Sequence, residues 1–278
     1  MGFLQTSKFY LKTFVAVNVF FGCAIYGVVA SIVLTLIGKQ HLCQWATARA
    51  FYGSFSRILG IKIEVLNEER LVNNLPGILI GNHQSTLDIL ILGRIFPKGC
   101  TVTSKRSLQW IPFLGWFMTL SGTFFLDRSN REKSIKTLND ALSKLKSQSR
   151  SLWIFPEGTR SYTKELTLGA FKKGAFHLAV DSQLPIFPIV VSNTSNLINF
   201  KEKIFNSGTI LINCLDQIPT EGLTKEDVGK LTEEARSKML EEVEALGYSK
   251  VGVAKTNGSD DDDNASVKSG TEVTALLD

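Results

Sequence analysis

Gly77-Ile78-Leu79-Ile80-Gly81-Asn82-His83-Gln84-Ser85-Thr86-Leu87-Asp88 is an apolar run that stops at an imidazole and a carboxylate. A short apolar segment bounded by glycines reads as a buried strand. Asp88–Phe96 is apolar enough to form a helix directly after it. Loops at strand ends are where α/β sheets gather active sites. A histidine is the side chain best matched to proton transfer near neutral pH. A neighbouring carboxylate can fix its tautomer and stabilise the imidazolium that forms. The chain has three histidines, His41, His83 and His177, and His83 is the one with a partner placed for it.

Outward from this unit, strands and helices alternate. Ile61–Leu66 has the period of a strand, and Thr123–Leu126, Ser151–Phe155, Ile186–Ser192 and Thr209–Leu215 read as further strands. Ser129 and Glu132 form a capping box. The helix they open places Ile135, Leu138, Leu142 and Leu145 on one face. Phe171–Val180 is helical, and Thr224–Gly247 carries Leu231, Ala235, Met239, Val243 and Leu246 at helical spacing. Alternation of this kind argues for an α/β domain, placed at residues 61–252.

The first 60 residues have a different character. Phe14–Ile37 is a 24-residue run without charge, flanked by Lys12 and Lys39, with Asn18 its one strongly polar residue. That is long enough for a transmembrane helix or a deeply embedded anchor, and too long for the apolar core of a signal peptide. His41–Leu59 reads as a second helix, with Trp45, Ala48, Phe51, Phe55 and Leu59 on one stripe. It fits the membrane interface or an ordinary core equally well. Lys105–Met118 holds two tryptophans, two phenylalanines and flanking cations, an interfacial composition that could equally wall an acyl pocket. Residues 253–278 are acidic and of low complexity, the composition of a disordered tail.

Charge follows the same division. The chain carries +5 overall; the tail's two lysines and six acids contribute −4, leaving +9 on residues 1–254. A basic body suits an anionic partner such as a phosphate-bearing substrate or a membrane surface. No nucleic-acid-binding motif accompanies the charge, so nucleic acid is not an expected partner. Cys23, Cys43, Cys100 and Cys214 are scattered, with no CxxC pair, and read as reduced thiols.

Three loops hold unusual residue sets. In the first, His83 and Asp88 are too few to hold zinc, and no Gly-x-Ser-x-Gly element supplies a serine nucleophile. What remains is His83 as general base with Asp88 orienting it. The second set is Gly122-Thr123-Phe124-Phe125-Leu126-Asp127-Arg128, where Arg128 can fork onto a phosphate or pair with Asp127. The third is Phe155-Pro156-Glu157-Gly158-Thr159-Arg160-Ser161. Pro156 and Gly158 shape a turn whose amides can approach an anion. Arg160 supplies charge, Thr159 and Ser161 supply hydroxyls, and Glu157 can accept from a substrate hydroxyl or hold Arg160.

Together these sets resemble the 1-acyl-glycerol-3-phosphate acyltransferases, the fungal members most closely. Asn82, His83 and Asp88 match the family's Asn-His-x4-Asp motif. Gly122, Phe125 and Arg128 match Gly-x-x-Phe-x-x-Arg, and Phe155–Ser161 matches Phe-Pro-Glu-Gly-Thr-Arg-Ser in full. Pro185-Ile186-Phe187-Pro188-Ile189 matches the apolar fourth motif, with Ile189 in place of the commoner valine. Order and spacing agree from about residue 10 to 250. The resemblance implies a mixed sheet flanked by helices behind an N-terminal membrane-anchoring module. It implies acyl transfer from acyl-CoA to the 2-hydroxyl of lysophosphatidic acid, without metal or resident cofactor, at a bilayer surface. The substrate-binding residues it implies are Lys105, Gly122, Arg128, Glu157, Gly158, Thr159, Arg160 and Pro185, the last helping to shape the acyl-CoA site. It points to the endoplasmic reticulum membrane, with the lipid-droplet surface as an alternative. The motifs are shared with enzymes acting on glycerol 3-phosphate or other lysophospholipids, so those acceptors stay open, as does a non-catalytic lipid-binding protein.

Overall fold

The computed structural model describes residues 3–72, 75–127, 137 and 150–252. Arg128, the helix expected after Ser129 and the acidic tail lie outside them, apart from Thr137.

An eight-stranded mixed sheet forms the centre. Its strands are β1 (Ile61–Leu66), β2 (Ile78–Gly81), β3 (Thr101–Lys105), β4 (Phe124–Leu126), β5 (Leu152–Ile154), β6 (Ile186–Val191), β9 (Gly208–Cys214) and β10 (Lys250–Val251). The order is β1-β9-β6-β2-β5-β3-β4, with β10 also pairing β9. β6, β2, β5, β3 and β4 are mutually parallel, and the direction reverses where β9 meets β6 and again where β10 meets β9. All five parallel strands therefore deliver their carboxyl ends to one edge. β7 (Ile198–Asn199) and β8 (Ile204–Phe205) form a separate hairpin between β6 and β9.

The strands at the centre are apolar on both faces because helices cover both. On one face Leu79, Trp153, Phe187 and Ile189 pack with residues of α1 (Phe3–Leu36), α2 (Cys43–Leu59) and α4 (Asp88–Ile95). On the other, Ile78, Ile80, Leu152 and Ile186 pack with α6 (Gly174–Ser182) and α7 (Val228–Leu246). The stripe foreseen on α7 is the buried one: Leu231, Ala235, Met239 and Val243 are all core. Short helices α3 (Glu68–Val72) and α5 (Leu114–Leu120) complete the set. The sequence reading missed β3, whose residues Thr101-Val102-Thr103-Ser104-Lys105 are β-branched in part but too polar to stand out. It also began α6 three residues early, at Phe171 instead of Gly174.

α1 spans 34 residues, about 51 Å at 1.5 Å per residue. One side is protein-facing along most of that length: Phe9, Ala24 and Ser31 are buried. Gly27 leaves no room for a side chain, because a Cβ there would lie 2.8 Å from the Phe117 ring of α5 and 2.9 Å from Thr47 of α2. The opposite side presents Leu4, Leu11, Phe14, Val17, Phe21, Ile25, Val29, Ile32 and Leu36, all exposed. α2 is fastened to the sheet by Gln44, whose amide nitrogen bonds Thr101 Oγ1 at 3.0 Å and Thr123 Oγ1 at 3.1 Å while its oxygen accepts from Val102 N. α4 packs against α2 closely enough that a Cβ at Gly93 would lie 2.8 Å from the Ala48 carbonyl. Arg49, which the sequence reading left off the α2 stripe, donates to the Gly93 and Phe96 carbonyls at the end of α4; such groups have no partner within their own helix.

Candidate active site

β2 ends at the carboxyl edge of the sheet, and the three residues after it are tied down one by one. The Asn82 side chain donates to Val191 O at 2.9 Å and accepts from Val191 N at 2.9 Å, extending the β2–β6 pairing with an amide. The Gln84 amide donates to Val191 O and Ser192 O and accepts from Thr194 N. Between them, the backbone of His83 is held by the loop after β5. Its N–H donates to Glu157 Oε1 at 2.7 Å, and its carbonyl accepts from Ser161 N at 3.0 Å.

The His83 ring is fixed from two sides. Nδ1 lies 2.6 Å from Asp88 Oδ2. The ring stacks on Phe155 at 4.1 Å between centroids and 15° between planes. With the proton on Nδ1 facing the carboxylate, Nε2 carries the free lone pair. Asp88 opens α4, and its Oδ2 also accepts from Gln84 N at 2.9 Å and Ser85 N at 3.2 Å. The carboxyl is 2% exposed. Burial pushes its pKa up, opposed by His83 and by the two loop amides. Ser85 is buried, its oxygen accepting from Leu87 N and lying 3.4 Å from Thr194 Oγ1, so it is engaged away from the imidazole.

His83 and Asp88 open onto a cavity of about 500 Å³, within the range of small-molecule sites. Its lining divides by chemistry. Lys105, Thr159, Arg160 and Tyr162 make a polar and cationic part with the histidine. Phe20 and Ala24 of α1, Phe51 of α2, Leu92 of α4, and Leu114, Phe117 and Met118 of α5 make an apolar part. Arg160 Nη1 lies 3.4 Å from the Tyr162 hydroxyl, and its buried Nε has no hydrogen-bond partner among the described residues. A donor left in that state beside a cavity can take an anionic ligand. The site thus joins a poised base, a guanidinium with an open donor and an apolar compartment. No group of three or more metal-ligating side chains occurs among the described residues.

The acyltransferase family model matches residues 62–192, which hold the His83 loop, the Arg160 loop, α4 and α5 but not α1 and α2, which complete the apolar wall. The 1-acyl-sn-glycerol-3-phosphate acyltransferase of Saccharomyces cerevisiae is 55% identical over 241 residues, covering 87% of this chain and 79% of that protein. This chain belongs to the 1-acyl-sn-glycerol-3-phosphate acyltransferase family. The human beta form of the enzyme is 36% identical over 212 residues, covering 76% of each chain. The crystal structure of the 1-acyl-sn-glycerophosphate (LPA) acyltransferase PlsC from Thermotoga maritima superposes with a TM-score of 0.65 at 26% identity, over 87% of this chain and 95% of that one.

For this family member, the described residues among those singled out in the sequence fall into three groups. His83, Asp88, Lys105, Thr159 and Arg160 line the one cavity. Glu157 and Gly158 stand behind it. Glu157 was expected to face a substrate hydroxyl or Arg160, but it is buried, with Oε1 taken by His83 N and Oε2 by Gly169 N at 3.0 Å. Burial pushes its pKa up as well. Gly158 takes φ +70°, a left-handed turn that suits glycine. Lys172 also lies over that turn, its Nζ 2.8 Å from where a Cβ would stand. Gly122 and Pro185 are not brought to the cavity. Gly122 sits at φ +79° in the turn before β4, at the amino end of that strand. Pro185 precedes β6, and its carbonyl accepts from Ile78 N at the amino edge of the sheet, the far side from His83. Arg128, two residues after β4 in the sequence, lies outside the described residues.

The sequence reading missed Phe155 as the stacking partner of the imidazole and Asn82 and Gln84 as the clamps of its loop. The two amides were visible as polar residues flanking His83, although nothing in their spacing tells a clamp from a solvated loop. The Asn193-Thr194-Ser195 sequon is not presented for glycosylation in this fold. Asn193 is 4% exposed and donates to the Thr163 and Glu165 carbonyls.

Proposed function

We propose that this enzyme transfers the acyl group of acyl-CoA to the sn-2 hydroxyl of 1-acyl-sn-glycerol 3-phosphate, giving phosphatidic acid and CoA. The observation that carries the reading is His83, held on Asp88 at 2.6 Å with Nε2 free, at the junction of cationic and apolar linings of one cavity. Nε2 takes the hydroxyl proton as the oxygen attacks the thioester carbonyl. The tetrahedral intermediate collapses with loss of the CoA thiolate, which recovers the proton from the imidazolium. Asp88 and the face of Phe155 both stabilise that imidazolium while it lasts. Arg160 and Lys105 take the acceptor's phosphate, joined by Arg128. Thr159 stands beside them, and the apolar compartment receives an acyl chain. Glu157 and Gly158 shape the loop that carries Arg160 and holds His83.

The exposed face of α1, continued by Trp110, Ile111 and Trp116, is the surface that meets the bilayer. Its other face is tied to the catalytic domain from Phe9, which meets Phe200, to Gly27, which abuts Phe117 of α5, so α1 lies along one leaflet instead of crossing the membrane. Both substrates bring long chains to that leaflet. The endoplasmic reticulum membrane, with the site facing the cytosol, is the compartment this reading assigns.

Acyl transfer assayed with radiolabelled acyl-CoA in membranes tests it, with lysophosphatidic acid and glycerol 3-phosphate as competing acceptors. His83→Ala and Asp88→Asn are expected to lower the rate by roughly 10²–10⁴-fold, the range of a positioned general base, with both proteins present at wild-type levels. Full activity in His83→Ala would remove the mechanism. Acylation of glycerol 3-phosphate alone would remove the acceptor.

A further inference from the structure

The β7–β8 hairpin stands outside the main sheet and takes no part in the cavity. Because β9 runs antiparallel to β6, the hairpin leaves the sheet at the same edge as His83. Its turn is Phe200-Lys201-Glu202-Lys203. It leans on the first turns of α1: Phe9 meets Phe200 edge-on at 5.8 Å, and Lys12 Nζ donates to Ser207 Oγ at 3.0 Å. Lys203 Nζ lies 5.5 Å from the centre of the Tyr10 ring. What this junction shows to solvent is aromatic and cationic. Phe200 is 48% and Tyr10 56% exposed, and Lys8 and Lys201 are exposed. Glu202, the one acid in the turn, is paired with Lys164.

Phe200 touches Phe9 with one edge, and the part of it left in solvent, beside Lys201, adds nothing to the packing of the hairpin. The composition suits the boundary between acyl chains and headgroups, where aromatic rings sit at the interface and lysines reach phosphates. The patch also continues the apolar face of α1, which begins beside it at Leu4 and Leu11. We infer that the β7–β8 hairpin and the first turns of α1 form an electrostatic membrane contact for anionic lipid headgroups. Lys8, Lys201 and Lys203 meet the phosphates, and Phe200 and Tyr10 sit at the interface. The inference rests on the reading of α1 as lying in one leaflet. It adds a lipid preference that an apolar helix face alone does not supply.

The test is flotation of the full chain, diluted from detergent, with vesicles of phosphatidylcholine alone or containing about one fifth phosphatidylserine. The midpoint lipid concentration is read at low and high salt. Wild type is expected to bind anionic vesicles at least tenfold better, with the advantage shrinking in salt. A lysine near an anionic surface contributes about fivefold, so Lys201→Gln with Lys203→Gln should remove most of that advantage. Binding to neutral vesicles and activity in detergent micelles should stay unchanged. Lys8→Gln with Lys201→Gln repeats the test without touching the Lys203–Tyr10 contact. Equal binding of wild type to both vesicles, or a full anionic advantage in both double variants, overturns the inference. Failure of wild type to bind either vesicle instead overturns the leaflet reading of α1.

Discussion

Glu157 commits both carboxylate oxygens to backbone amides, at 2.7 Å to His83 and 3.0 Å to Gly169. Its side chain therefore acts on the reaction through the position of His83. Glu157→Gln places an NH2 group against one of those two N–H donors and breaks that bond. The expected result is a fall in kcat of roughly 5–160-fold, taking about 1–3 kcal/mol for a disrupted buried hydrogen bond, with the KM for lysophosphatidic acid little changed. A rise in KM at constant kcat would return Glu157 to substrate binding. Burial raises the Glu157 pKa, and the sign of its linkage follows. A carboxyl raised in the fold contributes stability below its unfolded value and loses it as pH rises through the raised value. Glu157→Gln lacks that titration, so its stability deficit against wild type should be largest below about pH 4 and narrow towards neutrality. Denaturation midpoints in detergent at both ends of that range measure it. The residue types in the three motifs were legible because chemistry restricts them, as with His83, Asp88 and Arg160. The pairing of His83 with Asp88 was legible too, but the partners of Glu157 were not. Glu157 and Arg160 are three residues apart in a loop suited to an ion pair, and only the approach of the β2 and β5 ends decides that Glu157 turns inward to His83.

At the scale of elements, periodicity carried as far as burial is one-sided. The α2 residues Phe51, Phe55 and Leu59 and the α7 residues Leu231, Ala235, Met239 and Val243 are core as their spacing required. β3 escaped because its exposure pattern does not alternate cleanly. It lies between β5 and β4 with the cavity over one face, and Val102, Thr103, Ser104 and Lys105 all line that cavity. The cavity itself is a product of element packing that no local pattern encodes: α1, α2, α4 and α5 each contribute a wall. That origin makes its size adjustable. Ala48, half-buried on α2, lines the apolar part, so Ala48→Leu places three further carbons where an acyl chain would lie. Each methylene excluded from an apolar site costs about 0.8 kcal/mol, so two or three together correspond to roughly 15–60-fold. The variant is expected to lose that much kcat/KM on the longest acyl-CoA it accepts while retaining activity on shorter ones. An unchanged chain-length profile would place the acyl chain elsewhere.

The whole molecule combines a basic catalytic body with an apolar helix whose two sides have different partners. A run of 24 uncharged residues cannot by itself distinguish a helix that crosses a bilayer from one that lies in it. The proposed lying helix rests on packing, because Phe9 near one end meets Phe200 and Gly27 in the second half abuts Phe117 of α5, both in the α/β domain. A crossing would tear one of those contacts away, leaving the apolar side of α2 and the wall of the cavity bare. Lying along a leaflet keeps both and sets the cavity beside the lipid from which its substrates come. Phe14 and Phe21 belong to the exposed side, Phe21 with one edge against the Phe113 ring at 5.1 Å and neither in the buried core, so charges there should disturb membrane binding without disturbing the core. An aspartate deep in the apolar layer costs about 3 kcal/mol, more than 100-fold in partition for one and more again for two. Phe14→Asp with Phe21→Asp is therefore expected to move the protein from the membrane to the soluble fraction while sparing activity on short-chain substrates in micelles. The same pair of changes on a spanning helix would block insertion and leave an unfolded, degraded chain. Soluble, active protein after fractionation supports the lying helix, and loss of the protein altogether overturns it.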